Sequence, residues 1–222
     1  LDPDTFQVIY HGRDSQQWIT DIRFSPDGHL LAVASFDSKI YTYDASREFV
    51  LRSVCKKHNG FVTHINFAMD NSTLMSNSGI FELFFHQVNG PNFGDGDDAI
   101  LLDPDDVRDL AWESPTCTLG WHTRGAWPVE ARPILVNCAH VNAQRSIFAT
   151  GNDDGIIKLF TYPAWTRGQE YVSLLGHGPK ISRLLFTDSV PEESNGELQH
   201  AGNMPQILVS CGTNDRGIFI WE

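Results

Sequence analysis

Short runs rich in Val, Ile, Phe, Tyr and Thr fill the chain, and Gly, Asp, Asn and Pro cut them at regular intervals. No segment keeps apolar residues at i, i+3, i+4 and i+7 over three turns, so long helices are not expected. The alternation instead predicts an all-β protein. The runs also recur. "WITDIRFSPDGHLLAVASFDSKIYTYDA" covers residues 18–45, and "FVTHINFAMDNSTLMSNSGIFELFFHQV" covers 61–88. "ILVNCAHVNAQRSIFATGNDDGIIKLFTYP" covers 134–163, and "KISRLLFT" with "ILVSCGTNDRGIFIWE" lies within 180–222. Each reads strand, turn, strand, tight turn, strand. "DDVRDLAWESPTCTLGWHTRGAWP", residues 105–128, reads as a further copy with strands expected near 106–112, 116–121 and 125–129.

Ile22, Ile65, Leu110, Val136 and Leu184 take equivalent inward positions on the first strand of each copy, in steps of 43, 45, 26 and 48 residues. Three of these fit the ~40–45-residue period of a four-stranded propeller blade. Fourth strands fit at 49–54, 99–102 and 170–175. The expected fold is an all-β propeller segment of about five consecutive blades, at 12–57, 58–104, 105–130, 131–176 and 177–222. The third blade is short. The Gly/Pro-bearing stretches 89–98 and 188–205 read as long surface loops.

Net charge changes which partners are expected. With 16 basic against 28 acidic residues the chain carries −12, which disfavours nucleic acid and anionic membranes, since phosphate affinity needs clustered Lys and Arg. No apolar run reaches the ~20 residues of a membrane-spanning helix. The opening "LDPDTFQVIY" has no signal-peptide pattern and no initiator Met, and is expected to be a cut inside a longer chain. Residues beyond this chain are then expected to supply further blades and the outer strand after Trp221-Glu222, and the isolated segment to aggregate through an apolar edge. Cys55, Cys117, Cys138 and Cys211 follow no zinc or redox spacing and read as free thiols buried in a reducing compartment.

Candidate chemistry is sparse. Cys117 and His122 lie five apart, an odd spacing that sends strand side chains to opposite faces. No catalytic residue, metal site or cofactor is expected. "DGDDAILLDPDD" lacks the D-x-D-x-D-G spacing of a calcium loop and reads as an outer strand between acidic loops. Arg47, Arg52, Lys56 and Lys57 read first as edge-strand charge that blocks sheet-to-sheet pairing, and second as a small positive contact spot. Candidate binding loops are 15–18, 91–98, 122–124 and 188–205, unranked.

The copies resemble Trp-Asp repeats. The last carries Gly176-His177, Asp215 and Trp221-Glu222; the first has Asp37 and Tyr43-Asp44; the fourth has Asp154 with Phe160 in the Trp place. The second has His58, with Ile80 and His86 where Asp and Trp belong. These residues serve a hydrogen-bond relay: His bonds the turn Asp and passes the bond through a Ser or Thr hydroxyl to the Trp indole. Cys211 is taken to replace that hydroxyl, so the last relay is expected to be partial, and the Ile80 copy to lack one.

More narrowly, the blocks in order, above all "VRD..W...TC.LG......WP", resemble the echinoderm microtubule-associated protein-like family over the whole chain. The resemblance implies the C-terminal part of the second of two tandem β-propellers. It implies a non-enzymatic scaffold that contacts tubulin, microtubules or microtubule-bound proteins, in the cytoplasmic cytoskeleton or a ciliary axoneme. Self-association is then expected only through regions outside this chain. The alternative is a general WD-repeat adaptor in a non-tubulin complex; a third reading is a purely architectural part of a propeller.

Overall fold

A computed structural model describes residues 4–5, 7–88, 100–127, 135–188 and 206–221. The expected loop 91–98 lies outside the described residues, as does 189–205 of the other long loop. The chain forms two compact units, Leu1–Cys117 and Thr118–Glu222.

The first unit holds two sheets. β1 (Ile19–Phe24), β2 (Leu30–Ser35), β3 (Ile40–Asp44) and β4 (Val50–Cys55) form an antiparallel meander in that order. β5 (Val62–Phe67), β6 (Thr73–Ser78) and β7 (Leu83–Gln87) form the second. Residues 100–102 add a short outer pairing to it, with Gln87 N–H donating to Ile100 O at 2.8 Å and Leu102 N–H to Phe85 O at 2.9 Å. This is the place expected for a fourth strand.

β6, "TLMSNS", is buried at all six positions although four of the six are polar. Successive strand side chains point to opposite faces, and both faces of this sheet are covered. Leu74 joins one apolar cluster with Leu30, Ile40, Ile65 and Phe67, whereas Met75 joins another with Ala68, Phe85, Val107 and Trp112. Polar residues survive there because the relay described below satisfies Ser76 and because Ser78 donates to Glu82 at 2.8 Å.

The second unit repeats the plan. β8 (Val136–Val141), β9 (Ile147–Asn152), β10 (Ile157–Thr161) and β11 (Tyr171–Leu174) form one sheet; β12 (Ile181–Asp188), β13 (Gln206–Gly212) and β14 (Ile218–Trp221) form another. Cys138, Ala149, Ile157, Ile181, Leu184 and Leu208 make the core between them. All four first strands break register at the same place, between Ile19 and Asp21, Val62 and His64, Val136 and Cys138, and Ile181 and Arg183.

That shared irregularity corrects one alignment. Ile65 faces Ser76 and Leu184 faces Ser210, and the residue facing Thr150 is Ala139, three positions beyond Val136.

The strands expected at 106–112 and 116–121 do not form, and of the one expected at 125–129 residues 125–126 are helical while 128–129 lie outside the described residues. Among its described residues the 105–130 stretch makes turns, one isolated bridge between Ala68 and Trp112, and a 3₁₀ helix at Trp121–Ala126. The cause is local. Asp103 folds the chain back by accepting the Asp105 amide at 2.9 Å on its carboxylate and the Asp106 amide at 3.1 Å on its carbonyl. Pro115 has no amide to donate. Its neighbours' backbone groups bond one side chain, Asn66, instead of a partner strand.

Candidate functional site

Two relays are fully assembled. In the last sheet the Asp215 carboxylate can only accept, so His177 donates through Nδ1 at 2.7 Å. Nε2 then accepts the Ser210 hydroxyl at 2.7 Å, and the Trp221 indole N–H donates to Ser210 Oγ at 2.8 Å. The Gly217 amide, His177 and the Gly178 amide together hold the Asp215 carboxyl down at about 2. The expectation of a partial relay was wrong because Ser210, not Cys211, holds the hydroxyl position. The turn explains the slip: it closes from Gly212 N–H to Gly217 O, one residue wider than Ser35 to Lys39, Ser78 to Glu82 or Asn152 to Ile156. Counting back from Asp215 therefore lands one residue late.

The second sheet also has a relay, contrary to expectation. Ile80 cannot accept a hydrogen bond, but Glu82 reaches back from the far side of the turn. His58 Nδ1–H donates to Glu82 Oε2 at 3.0 Å, Ser76 donates to His58 Nε2 at 2.7 Å, and His86 Nε2–H donates to Ser76 Oγ at 2.9 Å. His86 stands where Trp221 stands in the last sheet, opposite Leu74 as Trp221 is opposite Leu208.

This relay is acid-sensitive, with a definite sign. Burial lowers the His58 pKa below its ordinary 6.5, more than Glu82 raises it. Burial alone would raise the Glu82 carboxyl, but bonds from Asn59, His58 and Ser78 outweigh it and hold the group at about 2. In both cases the unfolded chain binds a proton that the folded relay does not, so stability is lost as pH is lowered. The loss begins as pH drops below 6.5, the unfolded His value, and deepens from the ordinary 4.5 of glutamate toward about 2. Glu82→Gln is expected to cost about 1–3 kcal/mol near neutral pH and to flatten the lower step of the acid profile. Chemical denaturation across pH 3–7 followed by hydrogen exchange in β5–β7 (roughly the range in which these groups titrate) checks this. An unchanged lower step would mean that Glu82 is not the titrating group.

The other two copies differ. Val33 occupies the hydroxyl position of the first sheet, opposite Ile22. There Tyr41 donates to Asp37 at 2.6 Å and Tyr43 to Asp14 at 2.9 Å. Asp44 accepts the Ser46 amide at 3.1 Å and organises the following turn. In the third complete sheet Thr150 and Phe160 hold the relay positions, and Asp154 accepts the Ile156 amide at 3.0 Å.

The 105–128 block is held differently in its two halves. Asn66, 1% exposed on β5, accepts the amides of Thr116 and Cys117 at 3.0 and 2.8 Å. It donates to Thr116 Oγ1 at 2.9 Å and to the Ser114 carbonyl. Arg23 adds a bond to Thr116 Oγ1 at 3.1 Å. The second half belongs to the second unit. The Thr118 carbonyl accepts from Thr123 Oγ1 at 3.1 Å and from the Trp127 indole at 2.7 Å, curling the chain into the 3₁₀ helix. Gly125 lets that helix approach the loop after β10: a Cβ there would meet Thr166 O at 2.9 Å.

These positions are architectural. Cys117 is fully buried and burial raises its thiol pKa well above the ordinary value; Cys138 is pushed up to about 12 for the same first reason. Cys55 is buried too, and Cys211 is only partly so, which corrects that expectation. Neither Cys117 nor Cys138 is a thiolate nucleophile at neutral pH. Among the described residues no group of three or more His, Cys, Asp or Glu is arranged to hold a metal.

Repeated antiparallel sheets, each opened by the same register break and two of them closed by a His–carboxylate–hydroxyl relay, define a WD-repeat β-propeller protein. The chain belongs to the family described as "Echinoderm microtubule-associated protein second beta-propeller", which matches residues 1–222. Human "Echinoderm microtubule-associated protein-like 1" is 27% identical over 100% of this chain and 25% of its own length. The "77 kDa echinoderm microtubule-associated protein" of Strongylocentrotus purpuratus is 32% identical over 100% and 30%, and that of Lytechinus variegatus 34% over 100% and 31%. The chain thus spans about a quarter to a third of the length of these relatives. A solved structure of the RRP9 WD40 repeats overlays with TM-score 0.46 at 13% identity, covering 94% of this chain and 49% of that one.

Proposed function

We propose that this chain is a non-enzymatic interaction segment of a microtubule-associated scaffold, working with tubulin, microtubules or proteins bound to them. The observation that carries this reading is the match of the whole chain to a propeller family of microtubule-associated proteins. The site geometry supports the non-enzymatic part, because the His and carboxylate groups of the two complete relays bond one another and close turns. No cofactor is needed for such a role, and the setting is the microtubule cytoskeleton, cytoplasmic or axonemal. The blade limits proposed from sequence remain 12–57, 58–104, 131–176 and 177–222, with 105–130 as the connecting stretch.

The net charge of −12 favours one second reading, an adaptor whose partner is not tubulin. Microtubule surfaces are acidic, so the bulk electrostatic force on this chain would be repulsive. Co-sedimentation of the full-length protein with taxol-stabilised microtubules, with and without this segment, separates the two. The expected result is a smaller pelleted fraction without the segment. Undiminished pelleting would move microtubule contact elsewhere and leave the adaptor reading.

A further inference from the structure

Four turns are equivalent in this fold, those joining the second and third strands of each sheet. In the second unit they carry Asp153, Asp154 and Gly155, and Asn214, Asp215, Arg216 and Gly217. In the first unit they carry Phe36, and Ile80 with Phe81. Phe36 N–H donates to Trp18 O at 2.8 Å and Gly79 N–H to Phe61 O at 2.9 Å, so each turn is tied to the entry of the first strand in its own sheet.

The result is an apolar rim. Trp18 is 79% exposed and Phe81 55%, and Phe36 and Ile80 are exposed as well. The Trp18 and Phe36 rings lie 6.0 Å apart, and Phe36 stacks on Phe61 at 4.4 Å, joining the two sheets. The floor is fixed. The Phe61 ring lies 2.2 Å from where a Cβ on Gly79 would fall, and Ile80 lies 2.7 Å from a Cβ on Gly60. Phe81 adopts φ +67°, at the turn position where Ser38 has +68°, Gly155 +79° and Arg216 +53°. A non-glycine residue there costs about 1–2 kcal/mol. The turn sets that φ in all four sheets, and Phe81 is the one bulky apolar side chain placed there, exposed where Ser38, Gly155 and Arg216 stand in the others.

The charge on the same loops departs from that of the chain. Arg13, Lys39, Lys56 and Lys57 stand against Asp14, Asp37 and Glu82, a basic excess on a molecule of net −12. The three carboxylates are already engaged by Tyr43, Tyr41 and His58.

We propose that this rim docks an acidic peptide segment bearing one or two bulky apolar side chains. The apolar side chains cover Trp18, Phe36, Phe61, Ile80 and Phe81, and the carboxylates face Arg13, Lys39, Lys56 and Lys57. Large apolar anchors inside a charged surround are the usual division of labour in an interface. The proposal goes beyond the microtubule reading and does not depend on it.

Fluorescence anisotropy on the full-length protein tests it, with a short fluorescein-labelled peptide of glutamates carrying two phenylalanines. Comparison probes are the same peptide with Ser for Phe, the same with Lys for Glu, and a short oligothymidine. The Glu/Phe peptide is expected to bind, more weakly in high salt. Trp18→Ser, Phe81→Gly and the pair Lys56→Glu with Lys57→Glu are each expected to weaken it about tenfold or more. Phe81→Gly relieves the turn, so its melting temperature should hold or rise while binding falls, which separates docking from folding. No binding of the Glu/Phe peptide, equal binding of the Lys/Phe peptide or oligothymidine, or indifference to Trp18→Ser and Phe81→Gly would overturn the proposal. Self-association lost in those two variants would assign the rim to a second copy of the chain, and also overturn it.

Discussion

Trp112→Ala is expected to destabilise the first unit by about 3–5 kcal/mol, the usual cost of deleting a buried large aromatic. Trp112 is 2% exposed and packs with Ala68, Met75, Phe85, Val107 and Cys117, its ring centroid 5.9 Å from that of Phe85. It also forms the isolated backbone bridge that joins this stretch to Ala68, just after β5. Met69 N–H donates to Ala111 O at 2.8 Å and Glu113 N–H to Phe67 O at 2.9 Å, on either side of the ring. A cavity there would loosen those bonds as well as the core. Trp112→Phe keeps a ring and should cost about half as much. Trp18→Ala, on a residue 79% exposed, should stay within about 0.5 kcal/mol. Urea unfolding gives the totals, and hydrogen exchange in β5–β7 shows where the loss falls. Equal effects at Trp112 and Trp18 would mean that the block is not part of this core.

The repeats were legible because each strand writes its own signal. "LLAVAS", "TLMSNS", "IFATGN" and "QILVSCG" recur as the second strand of each copy, and their turns supply the punctuation. The relays were legible only as residue types. Their closure depends on turn length and side-chain reach, which spacing alone misjudged twice. A turn one residue wider displaced Ser210, and Glu82 supplied from beyond the turn the carboxylate that Ile80 lacks. Val136 was matched three residues early, since it is the equivalent of Ile19, Val62 and Ile181 before the shared register break; that break leaves no mark in apolar spacing and so could not anchor the alignment.

The 105–128 block misled for a different reason. Its apolar residues alternate as a strand would, but alternation reports burial and not pairing. Val107, Trp112 and Cys117 are buried by a sheet already formed, while their backbone is satisfied from the side. A signal existed in Asn66, a primary amide set between the apolar Ile65 and Phe67 near the end of β5. A buried Asn there must have partners, and "SPTC" is where they lie.

Asn66→Ala is therefore expected to be the other severe change, and of a different kind. Little apolar volume is lost. What is lost are the two acceptor bonds to the Thr116 and Cys117 amides and the donor bonds to Thr116 Oγ1 and the Ser114 carbonyl. Each buried backbone group left unsatisfied costs about 1–3 kcal/mol, so the two amides alone put the loss at about 2–6 kcal/mol. Asn66→Leu fills the same space without restoring any bond and should not rescue. Cys117 gives the readout, since it is buried and burial suppresses its thiolate. Maleimide labelling mapped by mass spectrometry should find Cys117 protected in the parent protein and reactive in Asn66→Ala. Buried Cys55, in the same unit, and buried Cys138, in the other, should remain protected, and partly exposed Cys211 should label in both. The pattern separates local release from unfolding of the first unit, which would expose Cys55, and from global unfolding, which would expose Cys138 too. If Cys117 stayed protected, packing around Trp112 alone would be holding the segment, and the side-chain clasp would be dispensable.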